Sequence, residues 1–463
     1  SAAAGTRRGE ETIMKRRDVL KLAAAGGVAG AVTARQARAQ EQAARATRGL
    51  PSPIIKDLSV INCQPGGVRL TVVKVTTDQA GLYGYGCATF TQRADLVGPA
   101  VEKYLKPLLV GRPADRVEDT WQMMYNSSYW RNGPVLNNAM SGVDQALWDI
   151  KGRQAGMPVY QLLGGKCREA AATYTSIGGS EIQQIVDGAR KAMAEGYRHI
   201  RLQINVPGMS AYGAGGGGAA APKIQALHKD PVYEPGAYIR RTIPMLAEVR
   251  KQLGPEVELL HDIHERVSPR EAIQFAKEVE PLNLFFLEDP FSPEDIGYFR
   301  QLREQCNTPI AMGELFNSPH EWTGLITERL IDYIRIHISQ AGGLTPCRKI
   351  AILGELHNVK TAWHGPGDVS PVGHMCNLHL NLASYNFGVQ EGGRIRGVEA
   401  EIFKGSETFK EGYLYANESP GWGIEVDEKL AAKYPFRAGA GDRGGLNGGW
   451  GVIRRLDGTV IKQ

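Results

Sequence analysis

The chain has 463 residues, 42% hydrophobic and 22% charged, an ordinary globular balance. Its six cysteines (Cys63, Cys87, Cys167, Cys306, Cys347 and Cys376) form no Cys-x-x-Cys pair, so neither a zinc ribbon nor a disulfide framework is indicated. The formal net charge of +5 lies in residues 1–39, with eight Lys or Arg against three Asp or Glu; the near-neutral remainder offers no footprint for nucleic acid or an anionic membrane.

Met14-Lys-Arg-Arg-Asp-Val-Leu-Lys21 carries a twin-arginine pattern at Arg16 and Arg17. A weakly apolar Ala- and Gly-rich run follows to Val32, then a small-x-small site at Ala37-Arg38-Ala39. The run is too short to span a membrane. Residues 1–39 are therefore expected to be an N-terminal extension and twin-arginine signal peptide. Cleavage near Ala39/Gln40 would release the protein in the periplasm. Residues 1–13 precede the start that Met14 would supply, and 40–53 form a polar linker.

Residues 54–62, 68–76 and 82–88 have strand character, separated by turns at Pro65-Gly66-Gly67 and Gln79-Ala80-Gly81. Helical patterns follow at 93–106, 115–125 and 134–155; in the last, Val143, Ala146, Leu147 and Ile150 share one face. This predicts an α+β capping domain over 54–165. From Ala171 short apolar strands alternate with helices: 173–176, 199–204, 258–263, 284–287, 310–313, 333–337, 361–364 and 387–391. Eight strands with no convincing eighth helix predict an α/β fold, a (β/α)7β barrel over 166–395. Residues 396–463 are expected to pack back on the capping domain. A long Gly/Ala-rich insertion, 206–238, interrupts the second unit.

A spacing carries the chemistry. Asp262, Glu288 and Glu314 end three successive barrel strands at intervals of 26 residues. Strand C-termini converge on one mouth, where barrel enzymes place their sites. Three carboxylates there repel one another unless a hard cation joins them, and an all-oxygen set suits Mg²⁺. Arg335 and His337 end the sixth strand, His364 the seventh and Glu391 the eighth; His337, His364 and Glu391 follow at intervals of 27. Two-residue strand periodicity puts His264 on the side of Asp262. Mg²⁺ facing a substrate carboxylate would stabilise the enediolate left by loss of the neighbouring proton. Candidate acid and base groups are His264, His364, and Arg201 with Tyr212, since a Tyr acts as base only beside a cation.

At these residues the chain resembles the enolase superfamily, specifically the mannonate dehydratase group that includes starvation-sensing homologues. The likeness spans about residues 54–440 and is carried by ordered motifs. These are Tyr129-Trp-Arg-Asn-Gly-Pro134, Ala146-Leu-Trp-Asp-Ile-Lys151, Tyr160-Gln-Leu-Leu-Gly-Gly165, Leu260-His-Asp-Ile-His-Glu265 and Leu287-Glu-Asp-Pro290 in the first part. Gly313-Glu-Leu-Phe-Asn317, Ala341-Gly-Gly-Leu-Thr345, His364-Gly-Pro-Gly-Asp368 and Phe387-Gly-Val-Gln-Glu391 complete the set.

The resemblance implies Asp262, Glu288 and Glu314 as Mg²⁺ ligands, Tyr212 with Arg201 as base, and His264 as the acid expelling the 3-hydroxyl. It implies substrate contacts from Arg335, His364, Asp368 and Glu391. The implied reaction is dehydration of D-mannonate or D-gluconate to a 2-keto-3-deoxy sugar acid. The implied partners are an acid-sugar substrate and further copies of the chain in a homo-oligomer, with no nucleic acid and no membrane span.

The chain departs from the group's pattern in several places. Ser176 stands where members carry a substrate-binding His, Thr91 replaces an Asn, and Pro366 replaces a small residue. The Arg201-to-Tyr212 spacing is one residue short, and the closing Gly458-Thr-Val-Ile-Lys-Gln463 lacks a Trp pair. Two other readings share the scaffold: another lyase or isomerase acting on a carboxylate, and a catalytically weak aldonate-binding homologue. Arg201-Leu-Gln203 in place of a Lys-x-Lys argues against a racemase.

The signal reading has a direct check. Mass spectrometry of the protein from its native host should find a mature N-terminus near Gln40 in the periplasmic fraction. Only an uncleaved cytoplasmic chain would refute it.

Overall fold

The computed structural model describes residues 51–206, 227–228, 230, 232–392, 395–437 and 453–462. The expected signal peptide and Tyr212 lie outside the described residues. The architecture below is that of the described residues from Ile54 onward.

The three expected strands are β1 (Ile55–Cys63), β2 (Leu70–Thr77) and β3 (Tyr83–Cys87), and their apolar residues make an antiparallel meander with β2 in the centre. The helix Pro134–Ala155 lies across it, opening on Pro134 and closing at the left-handed Gly156. Contact is close because β3 alternates glycine with tyrosine. A Cβ on Gly86 would stand 2.0 Å from the Gly142 carbonyl, and one on Gly84 2.2 Å from that of Ala146. The helix also buries two carboxylates. Asp149 accepts the backbone N–H groups of Tyr85 and Trp422, and Asp144 accepts that of Thr345 at 2.9 Å.

The eight expected barrel strands are present: β4 (Ala171–Gly179), β5 (His199–Ile204), β6 (Glu258–Asp262), β7 (Phe286–Glu288), β8 (Ile310–Met312), β9 (Tyr333–Ile334), β10 (Lys360–Thr361) and β11 (Gln390–Glu391). Neighbours from β4 to β10 pair in parallel. Closure comes from a bridge between Thr361 and Phe387 and from the pairing of β11 with β4. Among the described residues a helix separates each pair of successive strands, giving the (β/α)7β order. Three of these helices open on Ser-Pro: Ser268-Pro269, Ser318-Pro319 and Ser370-Pro371. Pro presets the first helical residue, and at the first two the Ser hydroxyl takes an orphan N–H while Glu271 or Glu321 returns the bond.

Within the barrel, Tyr174, Leu260, Phe286, Ala311, Tyr333, Ala362 and Val389 form a separate apolar floor. The late strands are shorter than expected, so Glu314, Arg335, His337 and His364 sit just beyond strand ends. The later chain divides its contacts. β12 (Phe403–Lys404) pairs with a strand at Glu425–Val426, and Trp422 donates to the Tyr85 and Gln145 carbonyls of the capping domain. Residues 453–462 instead lie against the barrel: Tyr233 donates to the Arg454 carbonyl and Lys462 to Ser292. The expected return of the whole 396–463 segment to the capping domain is corrected for this last stretch. Its backbone finds partners beside residues 227–234. No helix among the described residues is long and apolar enough to cross a membrane.

Gly86→Ala should destabilise the protein by about 1–3 kcal/mol, because the helix must back away from β3. Denaturant unfolding measures this, and an unchanged midpoint would contradict the close approach.

Candidate active site

Side chains on a strand repeat on one face every two residues. Counting two residues on from the apolar floor therefore gives the next layer up. Tyr174 leads to Ser176, Leu260 to Asp262, Phe286 to Glu288, Tyr333 to Arg335, Ala362 to His364 and Val389 to Glu391. Arg201 enters this layer from β5, where it pairs in register with Ser176. An apolar floor carrying a charged ceiling is thus built into the strand pattern.

Two guanidiniums organise the ceiling. Arg335 is fully buried and bonds Glu288 at 2.9 Å, Glu314 at 2.7 Å and, closely, Glu391. Arg201 reaches Glu288 and Glu391, both at 3.0 Å, and donates through Nε to Ser176 at 3.1 Å. Both donate to the Tyr174 hydroxyl. Burial pushes the Glu391 carboxyl up, but Arg335 and Arg201 override it and hold it low. Burial raises Glu288 well above the carboxylate range despite the same two cations, with Asp262 adding repulsion.

Asp262 differs from its neighbours. Both its carboxylate oxygens are buried without a hydrogen-bond donor, and Arg201 stands 3.8 Å from one of them. Its oxygens, those of Glu288 and those of Asp289 gather with one ligand atom each inside 4.8 Å. This all-oxygen set fits a hard divalent cation, which would supply what Asp262 lacks. Glu314 is turned elsewhere: its carboxylate meets His264 at 3.2 Å, His364 at 3.4 Å and Arg335. These groups engage Glu314, and Asp289 is the third carboxylate gathered with Asp262 and Glu288. Gly313, at φ 136, begins the turn that frees Glu314 from its strand.

His264 is not on the strand, contrary to the periodicity argument. β6 ends at Asp262 and the chain turns through left-handed φ values of 56 at His264 and 58 at Glu265. The turn still brings its Nε2 to Glu314. His364 and Asp368 flank the loop Gly365-Pro-Gly367, which is pinned from behind. His374 contacts the Pro366 carbonyl at 3.2 Å, and its other nitrogen stands 3.4 Å from the buried Glu407 carboxylate.

The structure therefore gathers Arg201, Asp262, His264, Glu288, Glu314, Arg335, His364 and Glu391 in one mouth. Asp368 stands within ligand distance of His364 and His337. Tyr174 and Asp289 escape sequence reasoning. Tyr174 looks like floor, and only its period-two relation to Ser176 could have flagged its hydroxyl.

Residues 60–164 match the mandelate racemase / muconate lactonizing enzyme N-terminal domain family, and residues 184–430 the enolase C-terminal domain-like family. The chain is 48% identical over 421 residues to a D-galactonate dehydratase family member of Pantoea ananatis, covering 88% of this chain and 98% of that one. It is 45% identical over 408 residues to another from Enterococcus gallinarum, covering 88% and 98%. A crystal structure of an enolase from Pantoea ananatis with bound D-gluconate and Mg is similar with TM-score 0.83 and 47% identity, over 89% of this chain and all of that one.

The His374–Glu407 pair should be visible in stability. Burial pulls the His374 imidazole down, but Glu407 overrides it and raises it from 6.5 to about 9. A histidine raised on folding stabilises fully below its unfolded value and loses that contribution as pH climbs through the folded one. The difference in Tm between wild type and His374→Gln should therefore shrink from about pH 6.5 to 9. A difference independent of pH would show that the pair is not charged.

Proposed function

Because the chain belongs to the enolase superfamily and, within it, to the D-galactonate dehydratase family, we propose that it is a Mg²⁺-dependent acid-sugar dehydratase. The observation that carries this is the buried, donorless Asp262 carboxylate beside Glu288, facing two fixed guanidiniums at the mouth of a closed barrel. Asp262 and Glu288 would hold the cation, with Glu314 or Asp289 as the third carboxylate. When bound, the cation supplies positive charge where the substrate carboxylate gains electron density.

The chain's own groups then divide the proton work. Tyr212 takes the proton beside the carboxylate, with Arg201 favouring its phenolate. His264 gives a proton from Nε2, which stands 3.2 Å from the Glu314 carboxylate when no substrate is bound, to the departing 3-hydroxyl. His364, Asp368, Arg335 and Glu391 surround the substrate. Gln203 donates to the Asp262 backbone carbonyl at 3.0 Å and so braces β5 on β6. It does not replace the second lysine of a two-base racemase.

The substrate set is D-mannonate and D-gluconate. These differ only at the carbon that loses its proton, so dehydration erases the difference and gives one 2-keto-3-deoxy product. D-Galactonate differs at a carbon that survives. Periplasmic location is part of this proposal and rests on Arg16-Arg17 and Ala37-Arg38-Ala39.

The test is a sugar-acid screen with Mg²⁺, assayed for 2-keto-3-deoxy products. Turnover should vanish with chelator. His264→Asn should cut dehydration by roughly 10²–10⁴-fold while retaining exchange of the substrate's α-proton with deuterated solvent. Binding with neither exchange nor product would replace the enzyme by an aldonate binder.

A further inference from the structure

His337, His364 and Asp368 bring ligand atoms within 4.8 Å of one another, a grouping that suggests a second metal site. The hydrogen bonding of His337 argues otherwise. The backbone N–H of Ser339 points at His337 Nδ1, 3.2 Å away. An amide N–H can only donate, so Nδ1 must present its lone pair. Burial, reinforced by His364, keeps this imidazole neutral by lowering its pKa well below the usual value. A neutral ring has one proton, which must then sit on Nε2. A metal on Nε2 would displace that proton to Nδ1, against the Ser339 N–H.

His337 is held firmly in this state. It is 2% exposed, its backbone carbonyl accepts the Ala341 N–H at 3.1 Å, and its strand end bridges that of His364. The two rings lie 5.1 Å apart at 33°. Ser339 is itself tied to the Cys87 carbonyl of the capping domain, which fixes the group that selects the tautomer. The result is a rigid N–H donor on a ring that is grouped with the Asp368 carboxylate. A sugar hydroxyl needs that combination, because it accepts one hydrogen bond and donates another.

We infer that His337 is a specificity-determining residue whose Nε2–H, with the Asp368 carboxylate, reads one hydroxyl of the sugar acid. The inference rests on the acid-sugar reading above. It adds a residue to the substrate shell and assigns the pair a chemical class of ligand, a secondary hydroxyl rather than a carboxylate or a cation.

The experiment uses the full chain with Mg²⁺. Calorimetric titration with D-gluconate and its monodeoxy analogues is run on wild type, His337→Phe and His337→Gln. His337→Phe should weaken D-gluconate by about tenfold, the loss expected for one hydrogen bond. One monodeoxy analogue should bind wild type and His337→Phe equally, and His337→Gln, which keeps an N–H, should recover part of the affinity. Equal weakening of every analogue, or none, overturns the inference and leaves the acid-sugar reading standing. Failure of the wild type to bind any sugar acid overturns that reading instead. Nitrogen-15 NMR of labelled histidine, assigned by loss of signal in His337→Gln, should find the His337 proton on Nε2. A proton on Nδ1 overturns the inference with no ligand present.

Discussion

Arg335 has no access to solvent, yet it carries a full charge among three carboxylates. Burying a lone guanidinium would cost several kcal/mol, and so would burying each carboxylate. Held together on converging strand ends, they cancel one another's desolvation. The barrel's closure supplies the geometry. Only when β11 pairs with β4 does Glu391 come within reach of both Arg335 and Arg201. The floor of Tyr174, Leu260 and Phe286 beneath the cluster excludes water, which strengthens each interaction above it. The excess of acid over base that remains is what gives the mouth its capacity for a cation.

The capping domain is bound to this machinery by polar contacts that leave little freedom. Asp144 caps the helix Leu344–Leu356 through Thr345, and Trp148 Nε1 donates to the same residue's hydroxyl at 2.9 Å. Asn137 donates to the carbonyls of Asn317 and Gln340, just beyond the strand ends that carry Glu314 and Arg335. The barrel supplies the charged groups, and the capping domain sets the loops around them.

Much of this was legible in the sequence for a physical reason. Each β/α unit of a barrel uses a similar length of chain, so acids recurring every 26 residues must rise on adjacent strands. The helix Pro134–Ala155 was legible from the shared face of Val143, Ala146, Leu147 and Ile150. Side-chain direction was not legible. Whether Glu314 or Asp289 stands nearest Asp262 depends on Arg335, His264 and His364, which come from three other parts of the chain. Nothing in the helix pattern singled out Asp144 or Asp149. They are buried because distant N–H groups need acceptors. The tautomer of His337 depends on one backbone N–H whose direction no local pattern reveals.

The staple between the capping domain and the later chain bears on how the protein can be made. Tyr85, Gln145 and Asp149 leave the ribosome long before Trp422, the residue that occupies the space among them. Gln64 and Arg437, and Lys74 and Glu428, are partners across comparable sequence distances. Loop closure on that scale is slow. The first-synthesised domain therefore cannot complete its core during translation. It must wait, partly solvated, until the whole barrel has been threaded between its two halves, and its final consolidation is also the step that certifies that the barrel is complete.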